Sequence, residues 1–270
     1  MHRNIKTLGQ KSAKLVTRLA ETGQYCFTTK EAAATLGEPV PKVSKLLSDL
    51  KNRHWVVPVE RGRYLLLPLE SGGEAPYSIN ELVLASKLVS PYYISYWTAI
   101  HHYGHTEQVP RTVFVATTKR KRSIQFSGHR FQFVKLADHK FFGYQQVWVE
   151  ADRVYMASPE KLLVDCLDLP TYSGGIVEVS KLVWRTRETM DWPKVLEYCK
   201  RMRNGAIIKR LGFLLESFST RPDLVDRLQS LVSAGYVLLD PTLPRSGPYS
   251  SRWRLQVNVP AQEIVSWRLS

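Results

Sequence analysis

Three histidines, His101, His102 and His105, stand together in this 270-residue chain, and a pair four residues apart on a helix can hold zinc. Zinc wants three or four ligands. No cysteine lies near, no HExxH spacing occurs, and Gly104 ends the helix inside the cluster, so surface or capping histidines are the simpler reading. Glu150, Asp152 and the pair Glu160-Lys161 fall near strand ends, as the carboxylates and lysine of a metal-dependent nuclease would. Yet Ser158-Pro159-Glu160 reads as a helix start, where a first-turn acid is favourable. There is no GxSxG, Walker A or GxGxxG sequence to support a hydrolase, a phosphate loop or a dinucleotide site. Cys26, Cys166 and Cys199 are odd in number and widely spaced, which suits buried free thiols better than disulfides or a metal site. The expectation is a binding protein, not an enzyme, with no catalytic residue, cofactor or metal. A nuclease is the enzyme alternative.

Cationic chemistry is better represented. Lys and Arg number 38 against 24 Asp and Glu, a formal net charge of +14, and such an excess attracts polyanions, nucleic acid foremost. In Val40–Lys51, VPKVSKLLSDLK, the apolar residues Val43, Leu46, Leu47 and Leu50 form an i, i+3, i+4, i+7 stripe that must face a core. The opposite face then carries Pro41, Ser44, Lys45, Ser48 and Asn52, with Lys42 on its flank and Asp49 the one acid nearby. A face of small and cationic groups can enter a DNA major groove. Arg61 and Arg63 lie on a turn just downstream. In that reading Lys42, Lys45, Arg61 and Arg63 neutralise phosphates while Ser44, Ser48 and Asn52 reach base edges. The bland alternative is a solvated face on a protein-interaction module. A further run, Lys119-Arg120-Lys121-Arg122, suits a phosphate contact, a solvated turn or the acidic face of a protein partner equally well.

The elements that must position these residues follow from the pattern. A helix over Ile5–Leu19 comes first. Thr28 and Glu31 form a capping box before EAAATL, a short helix stopped at Gly37-Glu38-Pro39, and the basic helix begins near Val40. Trp55–Val59 and Tyr64–Leu67 read as strands about Glu60-Arg61-Gly62-Arg63, a hairpin with a basic tip. Helix, turn, helix and basic hairpin in this order make a winged helix-turn-helix. Pro68–Pro76 is rich in breakers and reads as a linker. Ser78 and Glu81 then start a helix over ELVLASKLV.

Strands are expected at Val113–Val115, Ser123–Phe126, Arg130–Val134, Val147–Val149 and Arg153–Met156. Helices fill Ser158–Ala234, with breaks at Gly174-Gly175 and Asn204-Gly205 and an N-cap at Asp191. A strand is expected at Arg252–Val259. Tyr92, Tyr93, Tyr96, Trp97 and Tyr103 read mostly as the packing face of a helix ended by Gly104. No apolar run approaches the ~20 residues that span a bilayer, and Met1–Leu15 lacks an apolar signal core, so a cytoplasmic protein without membrane contact is expected.

The segments Tyr92–Pro110, Val113–Arg122, Phe131–Leu136 with His139–Gly143, Ala157–Pro170 and Gly174–Arg185 resemble the AbiEi-type antitoxins of abortive-infection toxin–antitoxin systems. With the amino-terminal module the resemblance spans almost the whole chain. It implies a protein that binds double-stranded DNA at inverted repeats in its own promoter, represses its own transcription and opposes a cognate nucleotidyltransferase-like toxin. A stand-alone repressor with an effector-sensing or dimerisation domain is the alternative. The expected fold is α+β: a winged helix-turn-helix over residues 1–72, then over 77–270 a mixed α/β antitoxin domain, strand-rich at 111–156, helical at 158–234, with a terminal strand at 251–259.

Overall fold

A computed structural model of the protein describes residues 8–67 and 79–269. The chain is α+β and divides into two compact units at Leu88/Val89.

The first unit begins with helix α1 (Gln10–Glu21), followed by strand β1 (Cys26–Thr28), α2 (Thr29–Leu36), α3 (Val40–Asn52), β2 (Val56–Glu60), β3 (Arg63–Leu66) and α4 (Glu81–Leu88). Of the expected first helix, residues 5–7 lie outside the described residues, and Leu8 and Gly9 precede α1. Thr28 caps α2: its Oγ1 accepts from the Glu31 N–H, and the Glu31 carboxylate accepts from the Thr28 N–H. Gly37 ends α2 at φ 68°, a left-handed conformation that glycine adopts without strain. The three strands pair antiparallel in the order β1-β3-β2. Leu15, Val16 and Leu19 of α1, Ala32 and Ala33 of α2, and Val43, Leu47 and Leu50 of α3 meet Phe27, Trp55, Val56 and Leu66 in one core. Leu46, expected in that core, is only partly buried against it.

Pro68–Pro76 and Ser78 lie outside the described residues. Helix α4, expected to open the second domain, clusters with the first unit. The compact units thus divide at Leu88/Val89; Leu82, Val83, Leu84, Ala85 and Leu88 of α4 are buried, and the Arg63 guanidinium donates to the Lys87 carbonyl.

In the second unit β4 (Tyr93–Ile94), α5 (Tyr96–His102), β5 (Thr112–Thr117), β6 (Ile124–Phe126), β7 (His129–Lys135), β8 (Tyr144–Val149) and β9 (Asp152–Ala157) come first. Their strands form a mixed six-stranded sheet, β6-β7-β5-β4-β9-β8. β5 and β7 run parallel, as do β4 and β9; the remaining pairs are antiparallel. The helices α6 (Pro159–Asp168), α7 (Ile176–Thr186), α8 (Trp192–Arg201), α9 (Gly205–Ser217) and α10 (Pro222–Gln229) follow. Ser158, Asp191 and Asn204 cap α6, α8 and α9 through side-chain oxygens.

Two expectations change here. The aromatic run is not all helix, because Tyr93-Ile94 is an inner strand of the sheet before α5 begins. The terminal strand shrinks to β12 (Leu255–Gln256), which joins β10 (Val237–Leu238) and β11 (Tyr249–Ser250) in a small sheet ahead of α11 (Ala261–Val265). Trp253 is fully buried against Gly212 of α9, and the backbone around it is a turn. The alternation at Arg252–Val259 thus reflects a buried indole plug.

Candidate nucleic-acid interface

Three residues, Gly37 to Pro39, separate α2 from α3; Pro39, extended at φ −60°, is the N-cap of α3, and Pro41 stands in its first turn, where a proline costs no helical hydrogen bond. With Val43, Leu47 and Leu50 turned inward, Pro41, Lys42, Ser44, Lys45, Ser48 and Asn52 are all exposed, and so is Asp49. The Lys42 ammonium lies 3.6 Å from Glu38, whose carboxyl is held below the usual carboxylate range chiefly by Lys11 and more weakly by Lys42. Ser44 Oγ donates to the Val40 carbonyl at 3.0 Å, which leaves its lone pairs outward. Among the described residues no ion pair engages Lys45, so its charge is available to an incoming anion.

The β2–β3 turn is Arg61-Gly62, with Gly62 at φ 74°. The Gly62 carbonyl accepts from the Thr29 N–H at 2.9 Å, which ties the turn to the start of α2. Arg61 is exposed. Arg63 departs from its expected role: it is half-buried, its Nε donates to Glu60 at 3.0 Å, and its guanidinium also reaches the Lys87 carbonyl. It staples the hairpin to α4 through two of its five N–H donors. The helix pair and turn thus bring Lys42, Ser44, Lys45, Ser48, Asn52 and Arg61 to the surface of one unit, and set Arg63 apart.

In the second unit, Lys119, Arg120 and Arg122 are exposed between β5 and β6, whereas Lys121 is half-buried with its ammonium 5.2 Å from the centre of the Phe133 ring. Lys119, Arg120 and Arg122 are thus the more exposed of the four cations. No carboxylate occurs from Gln108 to Ala137.

The residues weighed for catalysis disperse. Among the described residues no group of three His, Cys, Asp or Glu converges as a metal site would. His101 and His102 are exposed and His105 is half-buried. Burial, with His101 or Arg185 nearby, lowers His102 and His105 respectively below the ordinary imidazole value. Glu150 lies in the β8–β9 turn and Asp152 opens β9, and Glu160 accepts from Ser158 Oγ at 2.9 Å and pairs with Lys194 at 3.1 Å. The three cysteines are free and buried. Burial pushes their thiols up, that of Cys199 to about 12, so none is poised as a nucleophile.

Sequence patterns did not reveal the charged core of the second unit. Lys161 and Asp165 of α6 form a fully buried ion pair, and the Asp165 carboxylate also accepts from Ser95 Oγ at 2.8 Å and Tyr93 Oη at 3.1 Å. Burial raises the Asp165 pKa against these partners. Asp168 pairs with Lys140 at 2.8 Å, and buried Arg210 donates to the Leu167, Leu238 and Leu239 carbonyls at 2.7–3.1 Å. These contacts pin α6 to the sheet and α9 to the carboxy-terminal segment. The single available signal was the charged i, i+4 spacing in Lys161–Asp165, which exposed helices share.

No protein-family profile and no curated protein matches this sequence. Among solved structures the chain is similar to the crystal structure of the RV2827C protein from Mycobacterium tuberculosis, at 16% identity and a TM-score of 0.65, over 96% of each chain. The likeness extends the α+β fold to that protein and speaks to fold alone. No helix among the described residues is long and apolar enough to cross a membrane.

Proposed function

We propose that the first unit is a winged helix-turn-helix that reads duplex DNA, and that the chain is a DNA-binding autorepressor and antitoxin. The observation that carries the DNA reading is the exposed face of α3, where Lys42, Ser44, Lys45, Ser48 and Asn52 share the helix with one acid, Asp49, and Glu38 just before the helix pairs with Lys42. A recognition helix needs this division: cations hold the backbone and short polar groups reach base edges. The Arg61 turn supplies a further cation, as a wing does at a phosphate. Opposition to a nucleotidyltransferase-like toxin rests on the AbiEi-type resemblance of Tyr92–Pro110 and Ala157–Pro170, and it remains the proposal's second half. Footprinting the full chain on the DNA upstream of its own coding sequence tests the first half; protection of an inverted repeat is expected, and uniform protection would reduce the unit to a non-specific polyanion binder. Co-expression with the adjacent open reading frame tests the second half, since a protein that fails to rescue growth while still binding its operator is a repressor only.

A further inference from the structure

The six-stranded sheet of the second unit ends on two unlike strands. β6 is three residues long and is entered from Lys119-Arg120-Lys121-Arg122, a short, cation-guarded edge of the kind that discourages strand addition. β8, at the other end, is six residues long, Tyr144-Gln145-Gln146-Val147-Trp148-Val149, without a charge, a proline or a glycine. It pairs with β9 residue for residue with no bulge. Such an edge is a template for another strand.

The hydrogen-bonding direction of β8 follows from its turn. Two residues, Glu150 and Ala151, join β8 to β9, so the closing pair Val149/Asp152 exchanges both backbone hydrogen bonds, and such pairs recur at every second residue. Val147 and Gln145 therefore bond inward to β9, and the Ser158 N–H to Gly143 carbonyl bond of 2.8 Å continues the series. Tyr144, Gln146 and Trp148 turn their N–H and C=O groups away from β9. The same three residues share one face of the sheet, and there Tyr144 is 38% and Trp148 62% exposed. Arg153 steadies the indole, with its guanidinium 4.5 Å from the ring centre.

We propose that β8 is the seam of a homodimer in which two copies pair β8 antiparallel to β8 about a two-fold axis at Gln146. This register uses all three outward residues of both strands. Gln146 faces its own symmetry mate, and each Tyr144 faces Trp148 of the other copy, with every such pair exchanging two backbone hydrogen bonds. A two-fold seam must be self-complementary, and a strand whose exposed aromatics sit two residues to either side of its centre meets that condition. Charge agrees as well: β8 is neutral, so no like charges oppose across the axis.

Sedimentation of the full chain over rising concentration tests the seam. A species of twice 31.0 kDa is expected. Gln146→Pro removes an outward N–H without breaking the β9 ladder, so it should sediment as a monomer with an unchanged circular dichroism spectrum. Gln146→Cys should give a disulfide-linked dimer on mild oxidation, because residues facing each other in a narrow antiparallel pair lie about 5.5 Å apart at Cα, within bridging range; the native cysteines are buried. Should Gln146→Pro unfold, Trp148→Lys serves as the monomeric variant. A monomer at every concentration overturns the proposal. So does a dimer that survives these edge substitutions and fails to cross-link through Gln146→Cys.

Discussion

The Gly62 carbonyl in the β2–β3 turn accepts a 2.9 Å hydrogen bond from the Thr29 N–H at the start of α2. This bond makes the hairpin turn and the helix pair one piece, so Arg61 is positioned by the same helix that presents α3. Gly62 sits at φ 74°, and a Cβ added there would meet only Thr29 Oγ1 at 3.7 Å. Gly62→Ala should therefore cost about 1–2 kcal/mol through backbone strain alone. Denaturant melts with hydrogen exchange at β2 and β3 should show that loss confined to the first unit.

Arg63 and Arg61 should separate. Arg63 is engaged with Glu60 and the Lys87 carbonyl, so Arg63→Ala should loosen the first unit and leave the salt dependence of DNA binding unchanged. Arg61→Ala should do the reverse and flatten the log–log salt slope by roughly 0.9. Thermal melts and salt titrations of the two variants check the contrast.

The buried pair of α6 predicts a large effect. Lys161→Met would leave the Asp165 carboxylate buried with only Ser95 and Tyr93 as donors, a loss of about 3–5 kcal/mol when one partner of a buried ion pair is removed. Adding Asp165→Asn should recover part of it. A double-mutant cycle measures the coupling, and strict additivity would show that the pair contributes nothing.

Gly212 lies where an added Cβ would enter the Trp253 ring, and the indole cannot withdraw because its Nε1 donates to Glu216 at 2.6 Å. Gly212→Ala should cost about 1–3 kcal/mol by overpacking, measured as a fall in the denaturation midpoint of the second unit.

That last region also marks where the sequence was least informative. The local chemistry of element ends was legible: Thr28 with Glu31, Ser158, Asp191 and Asn204 are caps whose donors and acceptors lie within a few residues. The α3 stripe was legible too, since Val43, Leu47 and Leu50 repeat at helical spacing. What failed depended on distant partners. Trp253 is placed by Gly212, Arg63 by Lys87, and Tyr93-Ile94 is a strand because β5 and β9 flank it; two residues carry no periodicity. The basic face of α3 was visible as composition, but only the fold shows Lys45 without an ion pair among the described residues while Arg63 bonds Glu60 and the Lys87 carbonyl.

Acid should weaken the second unit through His105. Burial, with the Arg185 charge nearby, holds its pKa below the ordinary 6.5. The stability contributed by the neutral ring is thus fully present above that ordinary value and is lost as pH falls through the lowered folded value. Melting temperatures taken from about pH 7 to about pH 5.5 should fall less steeply in His105→Gln than in the parent; identical slopes would remove His105 from the account.

The reading of α3 as a groove-entering helix is tested most directly by measuring full-chain affinity for its upstream duplex against salt, for the parent and for Lys45→Ala. The account predicts weaker binding and a log–log slope shallower by roughly 0.9, the signature of one lost phosphate contact. Equal affinity and an equal slope in a folded Lys45→Ala protein would contradict it.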